Sequence, residues 1–499
     1  MLPAGSASTV STNAAVPDAT AAPTLPGTML FSVSVPLGNA ARSASIAVDA
    51  KPAQTIDISA SGHDCSASAN ALRCTLSLPI GAGAHTFDFS TYAAAHAAGT
   101  ALSTTAKIPF TVVPEGGKLG IAIAGTPASV ALVAPQSDSH VVTRSDGGYD
   151  VYGNSALAFQ VFAKDAEGRY ILGKSAPQVS LTGSGAVTVS RRPDDANAFV
   201  VTSNAASPDV VSGALSARLS DASSVNVAES TANLQLSQPW IFVAGGGTVR
   251  AFDEDGNAKT LSGSFAGLLM PYGITYVPDN RTLYVVDVVA ETVRAYDLQG
   301  QPRTIAGTFP GLHSADSISY DPRSHLLFVS QAGSSTILRC FDTEGRPQAV
   351  PASLTELQHA QSLAFRTKKS SAVAVKGDNS LLLHDASGTR QTQATATADR
   401  DRPAAVALDE RDDTTYVSDS RRGTIVAIDA RGNERARSSK GRFRPHAVAF
   451  DVYARRVYAA DATATYSIAA FDETLHPIRL AATGFKSVET PHALAIAAR

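Results

Sequence analysis

Two histidines stand in near-identical phrases of this 499-residue chain, His446 in RPHAVAF (444–450) and His492 in PHALAIAAR (491–499). An imidazole changes charge near neutral pH and ligates transition metals, so each is a candidate acid/base group or metal ligand. Aligning PYGITY (271–276), ADSISY (315–320), AQSLAF (360–365), PAAVAL (403–408), PHAVAF (445–450) and PHALAI (491–496) puts both in one column with Tyr272, Asp316, Gln361 and Ala404. A second column, at the ends of the strands that follow, holds Asp287, Gln331, Lys376, Asp419 and Asp461. An antiparallel return brings the second column back to the face of the first, which then collects two imidazoles, several carboxylates and a phenol. Such a set could hold Zn²⁺ or another divalent ion, work as an acid/base pair, or bind a ligand without reacting with it. The structural alternative is equally concrete: aspartates at strand ends commonly cap adjacent loops, and a histidine after proline can bond to a neighbouring backbone group.

The elements that must position these residues are periodic. The first residues of the six phrases are 44, 45, 43, 42 and 46 positions apart. A second phrase keeps step, from VRAFD ending at Asp253 through Asp297, Asp342, Asp385 and Asp429 to Asp472. Five of these six aspartates are followed three residues later by glycine, and the sixth by Leu475, as expected of an Asx turn needing a residue tolerant of positive φ. A period near 44 with about four short strands is the signature of a propeller blade, so six copies predict six blades over 238–499. The first periodic segment, WIFVAGGGTVRAFDEDG, lacks an opening strand, whereas PHALAIAAR is an opening strand with nothing after it. The C-terminal strand is therefore expected to complete the first blade and close the ring. Alternation places Ile274 and Tyr276 on one side of the inner strand and Gly273 and Thr275 on the other, the small set belonging where blades converge on the axis.

These repeats resemble NHL-repeat six-bladed propellers: PYGITY…LYVVD…VRAYDLQG, PAAVAL…TYVSD…IVAIDARG and PHAVAF…VYAAD…IAAFD. The resemblance implies a fold more than a function, because such propellers include protein-binding, RNA-binding and enzymatic members. Enzymatic relatives, among them amidating and antibiotic-cleaving lyases, use channel-mouth histidines around a metal. Only His446 and His492 match that pattern, with Gln361 and Ala404 where further ligands would be wanted.

Upstream, short alternating runs separated by Gly, Pro, Asn and Ser turns predict two β-sandwiches, 28–117 and 118–237, resembling the Ig-like modules of bacterial envelope and secreted proteins. Cys65 and Cys74 flank a polar tip in GHDCSASANALRC, a spacing suited to a disulfide across paired strands and hence to an oxidising compartment. Two free thiols are the alternative, and the pair lacks the histidine partners of a zinc site. Residues 1–27, rich in Ala, Ser, Thr and Pro, cannot bury a core and read as a flexible tether, expected to follow a removed signal or lipid-anchor segment. A formal net charge of −3 gives no global attraction to nucleic acid or an anionic membrane, and no apolar run approaches the roughly 20 residues of a membrane-spanning helix.

Other features lose their chemistry under alignment. Cys340 shares a column with Ala251, Ala295, Ala427 and Ala470, and His384 with Phe252, Tyr296, Phe341 and Phe471; both read as packing positions. Glycines 245–247 form a turn and not a phosphate loop, DEDG (253–256) lacks the spacing of a calcium loop, and the basic run 430–445 reads as a solvated surface. The expectation is an all-β, exported binding or scaffold protein that presents one face to a protein, a glycan or a small ligand. A metal-dependent lyase or hydrolase at the same mouth, and an architectural subunit of a surface assembly, are the competing classes.

Overall fold

A computed structural model of the chain describes residues 27–498 except 69, 136–137, 139, 221–226, 332–337, 353, 355–359, 367–370, 377–380, 385–389, 394–402, 440–442, 462–466, 481–484 and 486–487. Asp385 and the side chains of Lys376 and His384 lie outside the described set, as does the tether up to residue 26. Among the described residues the fold is built almost wholly of strands, with a 3-10 turn at Ala95–Ala97. The chain forms two compact units, one running to Ala205 and resuming over Val211–Leu236, the other comprising Ala206–Val210 and Ser237–Arg499.

In the first unit a nine-stranded sheet serves two sandwiches. One part of it, including Thr28–Pro36 and Ala71–Pro79, packs on a four-stranded sheet around Phe31, Phe87 and Phe110, whose rings meet edge to face at 5.4–5.8 Å. Another part, with Leu157–Lys164 and Ala198–Ser203, packs on a five-stranded sheet through Phe159, Val161, Leu215 and Leu234. The shared sheet is continuous because Gly117–Ile123 adds in parallel beside Thr28–Pro36. The 117/118 division drawn from the sequence thus falls at the start of a strand common to both layers. Alternation in LGIAIAG tells which side chains are inward but not which partner strand the backbone will find. Cys65 and Cys74 face each other on neighbouring strands and are disulfide-bonded.

Among the described residues the second unit contains six small antiparallel sheets. Their innermost strands are Pro271–Val277, Ala315–Asp321, Ala360–Arg366, Pro403–Asp409, Pro445–Asp451 and Pro491–Ala497. Each lies against the innermost strands of the sheets before and after it, and Pro491–Ala497 returns to neighbour Pro271–Val277. The last strand does not form a sheet with residues near it in sequence; it pairs antiparallel with Trp240–Gly245, setting Ala497 opposite Trp240 and Leu494 opposite Val243. Small residues face each other where these strands crowd together. A Cβ on Gly273 would sit 3.0 Å from the Asp316 carbonyl, so a side chain there requires its neighbour to give by a few tenths of an ångström.

Neighbouring sheets are joined at their outer ends by repeated contacts. The hydroxyls of Tyr284, Tyr416 and Tyr458 donate to the backbone oxygens of Thr343, Glu473 and Glu254, each in the hairpin turn of the next sheet. Phe265, Phe309 and Phe485 each donate a backbone N–H to a hairpin residue of the sheet they lead into, Gly300, Gly345 and Gly256. The turns are of the Asx kind: Asp297 Oδ1, for example, accepts the N–H groups of Gln299 and Gln301, at 2.9 Å each. Where Leu475 replaces the turn glycine it still adopts φ +66° and is 2% exposed, so the apolar side chain is buried at the cost of a left-handed backbone.

Candidate functional site

The six variable residues at the start of the inner strands share a backbone feature that alternation alone does not reveal. In every sheet the first residue of the inner strand is in register with its neighbour, the next is skipped, and pairing resumes at the third: Pro271 faces Asp287 and Gly273 faces Val286. Tyr272, Asp316, Gln361, Ala404, His446 and His492 are each the extra residue of such a β-bulge. A bulge releases one side chain from the alternating pattern and re-aims it. Four of the six bulges follow a proline, which has no N–H to give a ladder and is tolerated at a strand's first position.

All six bulge residues line one cavity of about 770 Å³ that is walled by the inner strands of all six sheets. The wall is two-sided in its chemistry. Thr275, Ser317, Ser319 and Ser362 supply hydroxyls on one arc, whereas Ala405, Ala407, Ala447 and Ala493 supply methyls on the other. Some hydroxyls already stitch the ring together: Ser319 donates to the Leu363 carbonyl at 2.6 Å, and Ser362 accepts the Val406 N–H at 3.4 Å.

At the mouth, Tyr272 and His492 stack with ring centroids 4.2 Å apart and planes 20° from parallel. Burial, and secondarily the charge of His446, hold the His492 imidazole below its ordinary pKa, so it is neutral at pH 7. Burial pushes the Tyr272 phenol up, with the Asp316 carboxylate adding to the shift. Asp316 is itself pushed up to about 6 by burial, against which the 2.9 Å hydrogen bond from the Ser330 hydroxyl compensates only in part. Gln361 and His446 are exposed at the same opening.

The strand-end carboxylates have a different place. Asp287, 0% exposed, accepts the N–H groups of Leu269 at 2.6 Å and of Met270 and Ala290 at 3.1 Å. Asp419 accepts those of Arg421 and Arg422, and Asp461 that of Arg444, all at 3.0 Å. Gln331 donates to the carbonyls of Gly311 and His313. None of these four side chains lines the cavity. They anchor the loops that carry the mouth, as the structural alternative in the sequence has it. Asp287 in particular holds the Leu269 and Met270 backbone in place; these two side chains are 63% and 41% exposed, and Val289, two residues after Asp287, is 60% exposed.

Among the described residues no group of three or more His, Cys, Asp and Glu side chains is placed to hold a metal ion. His446 and His492 thus share the mouth without a third ligand from this set, and no reaction step through a metal follows from the geometry. Cys340 is buried and free, its thiol pushed up to about 12 by burial, which makes it an inert packing group. The residues that sequence reasoning missed are the wall hydroxyls, Ser330 beneath Asp316, and Glu410, which also lines the cavity. Ser317 and Ser362, one step after the variable column, were the available signal.

Compared with known proteins, the chain matches no family model and no curated relative. Among solved structures it is similar to the hydrazine synthase of Kuenenia stuttgartiensis, at 13% identity over 46% of this chain and 91% of that one, with a TM-score of 0.35. A likeness that loose bears no functional argument.

Proposed function

We propose that the second unit is a six-bladed β-propeller of the NHL type, that the first is built of Ig-like layers serving as a spacer, and that the chain is an exported, non-enzymatic recognition protein. Its ligand enters the ring at the mouth formed by Tyr272, Asp316, Gln361, His446 and His492. The observation that carries this reading is the convergence of all six bulge residues on one cavity of about 770 Å³. Binding sites favour concave, largely preformed pockets of roughly 300–1,000 Å³ in which a few polar groups fix orientation. The stacked Tyr272–His492 pair offers a flat surface, and the neighbouring carboxyl and amide offer hydrogen bonds. The Cys65–Cys74 bridge fits an oxidising compartment.

The test is a screen of immobilised glycans and small polar metabolites against the full chain, read by thermal shift and by ligand-observed NMR. A ligand of the mouth loses binding in a Tyr272→Ala/His446→Ala/His492→Ala variant whose far-UV circular dichroism is unchanged. Hits that bind the triple variant as tightly as the parent place recognition elsewhere and overturn the proposal.

A further inference from the structure

Asp316 differs from every other residue at the mouth. It is a carboxylate set by a bulge into the wall of the cavity, and its partners are the Ser330 hydroxyl and backbone N–H groups. Among the described residues the cavity is lined by no lysine and no arginine, and its other charged lining residue, Glu410, is also acidic. A carboxylate desolvated without a counter-ion is costly, and that cost shows in its pKa being pushed up to about 6. His492 does not supply the missing charge at pH 7, because burial and the neighbouring His446 hold its imidazole below its ordinary pKa. Next to Asp316 stands the phenol ring of Tyr272, the kind of face to which a cation is drawn.

Resting on the reading of the mouth as a recognition site, we infer that its ligand is a small molecule carrying a protonated amino group, which completes Asp316 while the adjoining aromatic pair packs against its body. An ammonium supplies the charge that the described residues of the wall lack. The described lining disfavours anions for the same reason, so phosphorylated, sulfated and carboxylated ligands are expected to bind more weakly than the amine.

The experiment titrates the full chain at pH 7.5 with glucosamine, its neutral N-acetyl counterpart, glucuronate and spermidine, using calorimetry and saturation-transfer NMR. The two amines distinguish a cyclic amino sugar from a linear polyamine as the source of the ammonium. At least one amine is expected to bind saturably, with N-acetylglucosamine weaker by about tenfold or more and glucuronate silent, since a charge-assisted contact is worth at least that factor. Asp316→Asn is expected to lose about tenfold or more in affinity for the amine, whereas Glu115→Gln on the other unit leaves it unchanged. Circular dichroism and urea unfolding confirm that Asp316→Asn is folded. Equal binding of the amine and the N-acetyl sugar, with no loss in Asp316→Asn, overturns the ammonium inference; if Tyr272→Ala still weakens both, the mouth remains a recognition site. Absence of saturable binding by either amine also overturns it, and the wider ligand screen then judges the recognition reading separately.

Discussion

Removing the last strand tests how the ring is held shut. Truncation after Thr490 deletes Pro491–Ala497, whose six facing residue pairs with Trp240–Gly245 form the junction between the two ends of the second unit. At about 1 kcal/mol of net hydrogen bonding per pair, this ladder is worth about 6 kcal/mol. Leu494, 9% exposed, and the half-buried Ile496 add about 3 kcal/mol of apolar burial between them. The total, about 9 kcal/mol, matches the whole net stability of a typical domain, about 5–15 kcal/mol, so the ring should open or unfold. The readout is built in. Trp240 is the only tryptophan of the chain, is 4% exposed, and stands opposite Ala497. Its emission should shift to the red on truncation, and a synthetic peptide of residues 491–499 should reverse the shift. A graded version is Leu494→Ala, expected to cost about 2–4 kcal/mol. With a urea slope of about 3 kcal/mol per molar for a unit of this size, its fluorescence midpoint falls by about 1 M. A truncated chain that keeps blue emission and the parent midpoint within about 0.2 M would refute the closing role of this strand.

Four further substitutions probe other parts of the argument. Gly300→Ala places a Cβ 2.9 Å from the Phe265 ring at φ +77°, and should destabilise the second unit by about 1–3 kcal/mol in urea unfolding followed at Trp240. Leu475→Gly relieves backbone strain worth about 1 kcal/mol but gives up about 2–3 kcal/mol of side-chain burial, so it too should destabilise, by about 1–2 kcal/mol; a stabilised variant would show the strain to be the larger effect. Asp287→Asn replaces one of two carboxylate oxygens with a donor that faces N–H groups, and should cost about 1–3 kcal/mol while speeding hydrogen exchange at the Leu269 and Met270 amides. Asp316, with its folded pKa raised to about 6 from 3.8, binds its proton more tightly when folded, so its contribution is full below pH 4 and is lost as pH rises through about 6. Asp316→Asn should therefore unfold about 1–2 kcal/mol later than the parent at pH 7.5 and at the parent's midpoint below pH 4; no pH-dependent difference would remove the case for a strained carboxylate.

What the sequence made legible was whatever depends on local rules repeated many times. Strand positions in the second unit, the Asx turns and the partnership of Cys65 with Cys74 follow from alternation, turn chemistry and a 44-residue period, each of which leaves a mark in the residues themselves. The parallel addition of Gly117–Ile123 to Thr28–Pro36 left none, because about ninety residues separate the partners and any edge of the right polarity would serve. Asp287 and Asp316 show the same limit within the site. Asp287 ends the second strand of its sheet and accepts three backbone N–H groups in the protein interior, whereas Asp316 is the bulged second residue of an inner strand and faces a cavity with the Ser330 hydroxyl beside it. Residue type is equal and the ladder decides: Asp287 has a facing residue, Pro271, whereas the bulge leaves Asp316 without one.

The bulge explains why so regular a ring can carry so irregular a mouth. One step inward, the inner strands approach closely enough that Gly273 could not bear a Cβ without meeting the Asp316 carbonyl at 3.0 Å, and the equivalent positions are Ser317, Ser362, Ala405, Ala447 and Ala493. Sterics confine that column to small residues. The bulged column has no facing residue in the ladder and opens on a cavity, so packing imposes no size limit on it, and it ranges from Ala404 to Tyr272. The backbone thus repeats six times while the chemistry it displays does not: the aromatic pair spans two adjacent inner strands, the carboxylate stands on a third, and Ala404 contributes only space. A ligand meeting this opening encounters one preferred orientation in place of six equivalent ones, which is the condition for a quasi-symmetric ring to bind a single asymmetric molecule.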